Sequence, residues 1–223
     1  MKYLSSIILV LMLVCVASAQ TDPPSGLEAT LNPGGSVDLT WNVPSAGLME
    51  DFSDGIGQGF NWLTTGGVFS IDGGYAKMDM TNATAWGTGA YEDMEFGNFF
   101  LETNFQIVGT STSSRGHMWC TNGPRDADFN GYGMYVSGGS YSIWRYDTGV
   151  ASVIQTWTAA ASINQGDGAL NNLQCDASGG TYDVYINGTY ILSFTDATYP
   201  QGYAGLITAY GANTWYDDIM CTT

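Results

Sequence analysis

The sequence predicts an all-β sandwich, on three observations. Residues 171–194 write two turns and three strands in succession: Leu173, Cys175 and Ala177 alternate with polar neighbours, Ser178-Gly179-Gly180 interrupts them, Tyr182, Val184 and Ile186 alternate again, and Asn187-Gly188 interrupts once more. Asn-Gly tolerates the positive φ of a tight primed turn, so the pattern is a β-meander. Charged residues make up 12% of the chain against 13% aromatics and 30 glycines, the profile of short strands and tight turns rather than of disorder. Finally, no stretch sustains a helical period with caps, which confines helix to a turn or two. About 200 residues with one continuous strand pattern fit a single sandwich.

The first element is an export signal. Lys2 supplies a positive start, an apolar run spans 7–16, and Ala17-Ser18-Ala19 is a small-residue cleavage pattern before Gln20, so residues 1–19 read as a signal peptide. An apolar run of roughly 10 residues is short for a bilayer span, and Cys15 lacks the small residues that precede a lipidated cysteine. The expected product is secreted, extracellular or periplasmic, without membrane insertion.

Residues 20–47 hold a hairpin pattern. Leu27, Ala29 and Leu31 alternate, residues 32–35 turn, and Val37, Leu39 and Trp41 alternate before Pro44. Its Pro-rich start, L-x-A and L-T-W resemble the first two strands of a fibronectin type III domain, about a quarter of one. An isolated hairpin is only marginally stable. The expectation is therefore that it docks on the following domain or pairs with a neighbouring copy's sheet edge, giving self-association through residues 29–41; a linker or a fragment of a longer protein are the alternatives.

From Leu48 the strand pattern is continuous, with candidates at 49–52, 68–71, 75–80, 89–92, 99–108, 116–121, 131–137, 141–146, 152–158, 172–177, 182–186, 189–194, 204–209 and 214–221. Nearly every gap holds Gly, Asn, Asp or Pro.

Charge excludes some partners. Beyond the signal segment only Lys77, Arg115, Arg125 and Arg145 oppose 21 acidic residues, a net charge of −17. Such a field repels nucleic acid and anionic membranes, so neither is expected as a partner. Export permits one disulfide among Cys120, Cys175 and Cys221, but spacing does not choose the pair. Cys175 shares a face with Leu173 and Ala177 and reads as a buried thiol. With one histidine, His117, and no C-x-x-C, a Cys/His zinc site is not expected.

Several motifs together carry a resemblance: E-D-F-S-D-G at 50–55 with Trp62 following, F-N-G-Y-G-M-Y-V at 129–136, N-x-L-x-C-x-A-x-G at 171–179, Y-I-N-G-T at 185–189, Q-G-Y-A-G-L at 201–206 and W-Y-D-D-I at 215–219. Residues 48–223 resemble a concanavalin A-like jelly roll of the laminin-G or glucanase type, a fold that hosts lectins, carbohydrate-binding modules, glycosidases and adhesive domains. The resemblance implies that the first and last strands are neighbours. Glu50, Asp51 and Asp54 then approach Asp217 and Asp218, where carboxylates repel unless a cation or hydrogen bonds offset them. Calcium suits such a set, with Glu50 and Asp217 as its first ligands; solvated turn carboxylates are the alternative.

Catalysis finds little support. Glucanases of this fold carry E-x-D-x-x-E, with two glutamates flanking the scissile bond. The nearest approach here is Y-E-D-M-E at 91–95, where Glu92 and Glu95 are three apart before a turn at 96–98, which places them on opposite faces or in a rim cluster. His117, in R-G-H-M-W-C, has no nucleophile elbow nearby. The early D-F and late N-G hairpin also resemble the 3-keto-disaccharide hydrolase family, but no polar constellation carries that reaction.

Binding finds more. Aromatic platforms and planar polar side chains recognise sugars. His117 and Trp119 alternate on one strand, Tyr135 and Trp144 lie on the next two, and Arg145 and Trp157 follow, a set that neighbouring strands can bring into one carbohydrate-binding patch. Core or edge packing competes at every one of these positions, because a sandwich buries one face of each strand, and an ion pair competes at Arg145. Two N-x-T patterns, at Asn82 and Asn187, are read as chance. The expected function is a secreted, non-catalytic carbohydrate-binding or surface-adhesion module. A structural subunit pairing through its leading strands and a keto-disaccharide hydrolase are the alternatives.

Overall fold

The computed structural model describes residues 28–31, 37–40 and 47–223; the expected signal peptide at 1–19 and the expected turn at 32–35 lie outside them. The chain divides into two units, residues 1–46 and 47–223. In the first, β1 (Glu28–Leu31) and β2 (Val37–Thr40) form an antiparallel hairpin with Ala29 opposite Leu39.

The second unit runs through β3 (Gly47–Glu50), β4 (Phe60–Thr64), β5 (Val68–Asp72), β6 (Tyr75–Asp79), β7 (Gly87–Phe96), β8 (Phe99–Val108), β9 (Arg115–Thr121) and β10 (Gly131–Ser137). It continues with β11 (Ser140–Asp147), β12 (Val150–Ala159), β13 (Leu170–Ser178), β14 (Thr181–Ile186), β15 (Thr189–Thr195), β16 (Gly202–Thr208) and β17 (Asn213–Thr222). No helix occurs among the described residues. One sheet has seven strands in the order β12-β11-β10-β9-β16-β7-β4, and the other has eight, β15-β14-β13-β8-β17-β6-β5 with β3 added to β17. The first and last strands of the unit are paired, Glu50 opposite Ile219 and Leu48 opposite Cys221. This is the two-layer antiparallel jelly roll that the alternating pattern predicts.

Period-2 alternation builds the core. On β8, Phe99, Leu101, Thr103, Phe105 and Ile107 are buried while their neighbours are half-exposed. The apolar ones among them meet Trp119, Tyr132, Met134, Val136, Ile143 and Leu206 from the facing sheet in one cluster. Each fully buried large apolar side chain contributes about 1.5–3 kcal/mol, so the inter-layer contact holds the fold.

One strand escaped the pattern. β4 (F-N-W-L-T) is half-exposed and does not alternate cleanly; its Trp62 stacks on Phe69 at 4.0 Å and on Phe60 at 5.0 Å. β7 also runs longer than its pattern. Glu92 accepts from Asn61 Nδ2 at 3.1 Å and Glu95 from Gln201 Nε2 at 2.7 Å, so each binds a separate neighbour at the rim.

The structure has no disulfide among the described cysteines: Cys120, Cys175 and Cys221 are buried free thiols. Cys175 and Cys221 both sit opposite Leu101, on the two strands flanking β8. Two strand spacings, about 10 Å, exceed the Cα separation a disulfide spans. Burial pushes the Cys120 thiol up to about 12, which removes the reactive thiolate.

Candidate ligand site on the outer face of the seven-stranded sheet

The predicted patch does not assemble. His117 and Trp119 point between the sheets and are fully buried. His117 Nδ1 lies 3.3 Å from Thr103 Oγ1, and burial lowers its pKa to about 3, so the ring is neutral near pH 7. Trp119 stacks on Tyr132 at 6.0 Å, tilts against Tyr182 at 5.9 Å and meets His117 edge-on at 5.5 Å. Tyr135 faces the other way, yet it is also buried, its hydroxyl 2.9 Å from that of Tyr146 and its ring edge-on to Trp86 at 5.3 Å. These three residues are core rather than ligand platform, because β9 and most of β10 are covered on both faces.

The other predicted residues are scattered. Trp144 is half-buried on the outer face, its Nε1 donating to Ser142 Oγ at 2.9 Å. Trp157 lies 43% exposed on edge strand β12. Arg145 is committed to ion pairs, Nε with Asp147 at 3.0 Å and Nη1 with Asp196 at 2.8 Å.

That ion pair belongs to a loop clasp. Asp196 also accepts from Tyr132 Oη at 3.0 Å and from Thr198 N at 2.9 Å, and Tyr199 Oη donates to Asp147 at 2.8 Å. Burial alone raises the Asp196 pKa, but the bonds from Thr198, Arg145 and Tyr132 outweigh it and hold the carboxyl at about 2. A folded-state value below the ordinary 3.8 means stability that is present above about pH 4 and lost as pH falls toward 2. For this partly solvated clasp the contribution is on the order of 1–2 kcal/mol. Acid melts of wild type and Asp196→Asn are therefore expected to differ at pH 6 and converge by about pH 2; a constant gap would contradict the assignment.

The acidic residues at the two ends of the second unit are tied up with the turn backbone and neighbouring side chains. Glu50 Oε1 accepts from Phe52 N at 2.8 Å and its Oε2 from Gln58 N at 3.3 Å, while Asp51 caps Ser53 N at 2.9 Å and Asp54 caps Ile56 N at 2.8 Å. Asp218 accepts from Asn104 Nδ2 at 3.1 Å. Burial raises the Asp217 pKa, with Asp218 and Asp51 adding to the effect. No group of three or more acidic, His or Cys side chains converges as a metal-ligand set among the described residues. Hydrogen bonds from the turn backbone offset part of the repulsion among these carboxylates.

What the sequence did not point to is an open cleft of about 400 Å³, lined by Leu63, Thr65, Ala85, Trp86, Arg125, Asp126 and Gly149. It lies on the outer face, where Met118, Tyr135, Tyr146 and Ile207 form a second apolar cluster under Phe129, Trp86 and Trp144. The loop 122–130 covers this cluster and carries Arg125 and Asp126 to the cleft. Arg125 N donates to Thr88 Oγ1 at 3.0 Å, Asn130 N to Asn122 Oδ1 at 2.8 Å, and Thr148 N to Asn130 Oδ1 at 2.7 Å. Gly149 has φ +75°, donates to Phe129 O at 2.8 Å, and has no room for a Cβ beside Ala127 O. The loop is thus pinned at both ends, which fixes the cleft before any ligand arrives.

The Arg125 guanidinium lies 4.6 Å from the Trp86 ring and 4.9 Å from that of Tyr146. Trp86, half-buried, continues edge-on into the exposed Tyr210 at 6.4 Å. An apolar ring face, a guanidinium fork and an adjacent carboxylate form a combination suited to a polyhydroxylated ring. The available signal in the sequence was the scarcity of cations: Arg125 is one of four beyond residue 19 and sits in an Asn-Gly-Pro-Arg-Asp loop.

No protein-family model matches the chain, and no curated protein matches it either. Solved structures do. A carbohydrate-binding module, CBM66 of Bacillus subtilis, is similar with a TM-score of 0.60 at 17% identity, over 74% of this chain and 96% of that one. The exoplasmic/lumenal domain of VIP36, in a Ca2+/Man-bound form, gives 0.57 at 12% identity over 73% and 82%. A β-glucanase of Bacillus licheniformis gives 0.56 at 11% identity over 81% and 100%. At these identities the likeness establishes a concanavalin A-like jelly roll and leaves function to the site.

Proposed function

We propose that the protein is a secreted, non-catalytic carbohydrate-binding module whose ligand stacks on Trp86 in the cleft beside Arg125 and Asp126. The observation that carries this is a half-buried indole at the wall of an open, pre-formed cleft, next to a guanidinium that no carboxylate of the described residues neutralises. Sandwiches of the same fold include a carbohydrate-binding module and a Man-bound domain, which agrees with the reading. The glucanase neighbour raises hydrolysis as an alternative. Against it, Glu92 and Glu95 bond separately to Asn61 and Gln201 instead of flanking a shared cleft.

A glycan array probed with wild type and Trp86→Ala tests the reading. Binding to a defined set of glycans, lost in the variant and retained in Trp157→Ala, is the expected result. Binding unaffected by Trp86→Ala would remove the cleft from consideration.

A further inference from the structure

Where the cations go in this acidic protein is informative. Lys77 pairs with Asp72 at 2.7 Å, and Arg145 with Asp147 and Asp196 at 3.0 and 2.8 Å. Arg115 is buried, its Nε donating to Thr214 Oγ1 at 3.2 Å and its Nη2 to Thr110 O at 3.0 Å. Arg125 stands apart. Its guanidinium has neither a hydrogen bond nor a carboxylate partner among the described residues, only the faces of Trp86 and Tyr146. Its sequence neighbour Asp126 is turned to its own loop, Oδ1 accepting from Asp128 N at 2.9 Å.

Ring faces accept no conventional hydrogen bond, so a guanidinium held over them keeps its N–H donors for a ligand. Those donors form a planar fork whose best partner is a carboxylate, bound through two parallel charge-assisted bonds. A chain with 21 acidic residues had many ways to neutralise this fork, yet none of the described carboxylates pairs with it at the cleft. We infer that the ligand carries a carboxylate beside its sugar ring, a uronic acid unit set with its carboxylate on Arg125 and its ring against Trp86. The inference rests on the carbohydrate reading and names the class of sugar.

The overall charge narrows it further. The net charge of −17 beyond residue 19 repels a polyanion laid along the surface, most strongly within the roughly 8 Å over which physiological salt leaves charges poorly screened. Asp126 at the cleft wall adds local repulsion to any second carboxylate. The ligand is therefore a single uronic acid ending an otherwise neutral glycan, rather than a polyuronate.

Titration calorimetry at 0.15 M salt tests this with four probes: an oligosaccharide ending in glucuronic acid, the same compound with its carboxyl reduced to the alcohol, a sulfated counterpart, and polyglucuronate. The uronic acid is expected to bind about 10- to 100-fold tighter than the reduced compound. Arg125→Gln should erase that difference and Arg125→Lys restore only part of it, since an ammonium keeps the charge without the fork. Thermal melts of both variants show whether the loop remains folded, and the probe comparison on wild type stands without them. Equal affinity for the acidic and reduced compounds would overturn the uronate inference while leaving carbohydrate binding intact. Tighter binding of the sulfated compound would overturn it in favour of a sulfate ester, and tighter binding per residue of polyglucuronate would overturn the single-terminus assignment. Absence of binding to these probes and to every glycan on the array would overturn both readings together.

Discussion

Trp119→Ala is expected to destabilise the sandwich by about 3–5 kcal/mol, the range for removing a buried tryptophan. Its indole is fully buried between the sheets, against Tyr132, Tyr182 and His117, and few neighbours on two hydrogen-bonded layers can move to fill the space. For a unit of this size that corresponds to a fall in Tm on the order of 10 °C. Denaturant unfolding should report it as a lower midpoint with an unchanged slope. At a temperature where the variant is still folded, glycan affinity should be close to that of wild type. A stable Trp119→Ala protein that has lost binding would reverse the roles assigned to the two faces of β9.

The complementary expectation concerns Trp86. Truncating a tryptophan at the centre of a recognition site costs about 2 kcal/mol or more, roughly thirtyfold in Kd. Trp86→Ala also removes one of the two rings that hold Arg125, so ring stacking and the placement of the fork are lost together. Because Trp86 is only half-buried, its Tm should fall by much less than that of Trp119→Ala. Trp86→Phe keeps an aromatic face and should recover part of the affinity. Unchanged affinity in Trp86→Ala would move the ligand elsewhere on the sheet.

The layout of the sandwich was legible because its signals are local. The Asn187-Gly188 turn adopts φ +51° and +72°, the left-handed geometry that its sequence advertises, and β14 and β15 follow on either side. The pairing of β3 with β17 was implied by the jelly-roll resemblance of the motifs at 50–55 and 215–219. β4 was not, since Leu63 breaks the alternation of Phe60 and Trp62 and the strand's ladder partner β7 is reached only across β5 and β6.

The site was less legible for a physical reason. Alternation separates a strand into two faces but does not say which face meets water. On β9, His117 and Trp119 form one face and Met118 the other. The sequence offered no sign that the first is sealed by the second sheet and the other by Phe129 from the 122–130 loop. Cation scarcity drew attention to Arg145, whose partner Asp196 lies 51 positions away, and passed over Arg125. Only the folded chain distinguishes a neutralised guanidinium from an open one.

The most direct test follows the seven tryptophan indole N–H signals by NMR as a glycan identified on the array is titrated in. The account predicts a large, saturable shift of the Trp86 signal, assigned through Trp86→Phe, with the Trp119 signal unmoved. A shift at Trp119, or at Trp144 and Trp157 with Trp86 silent, would contradict it.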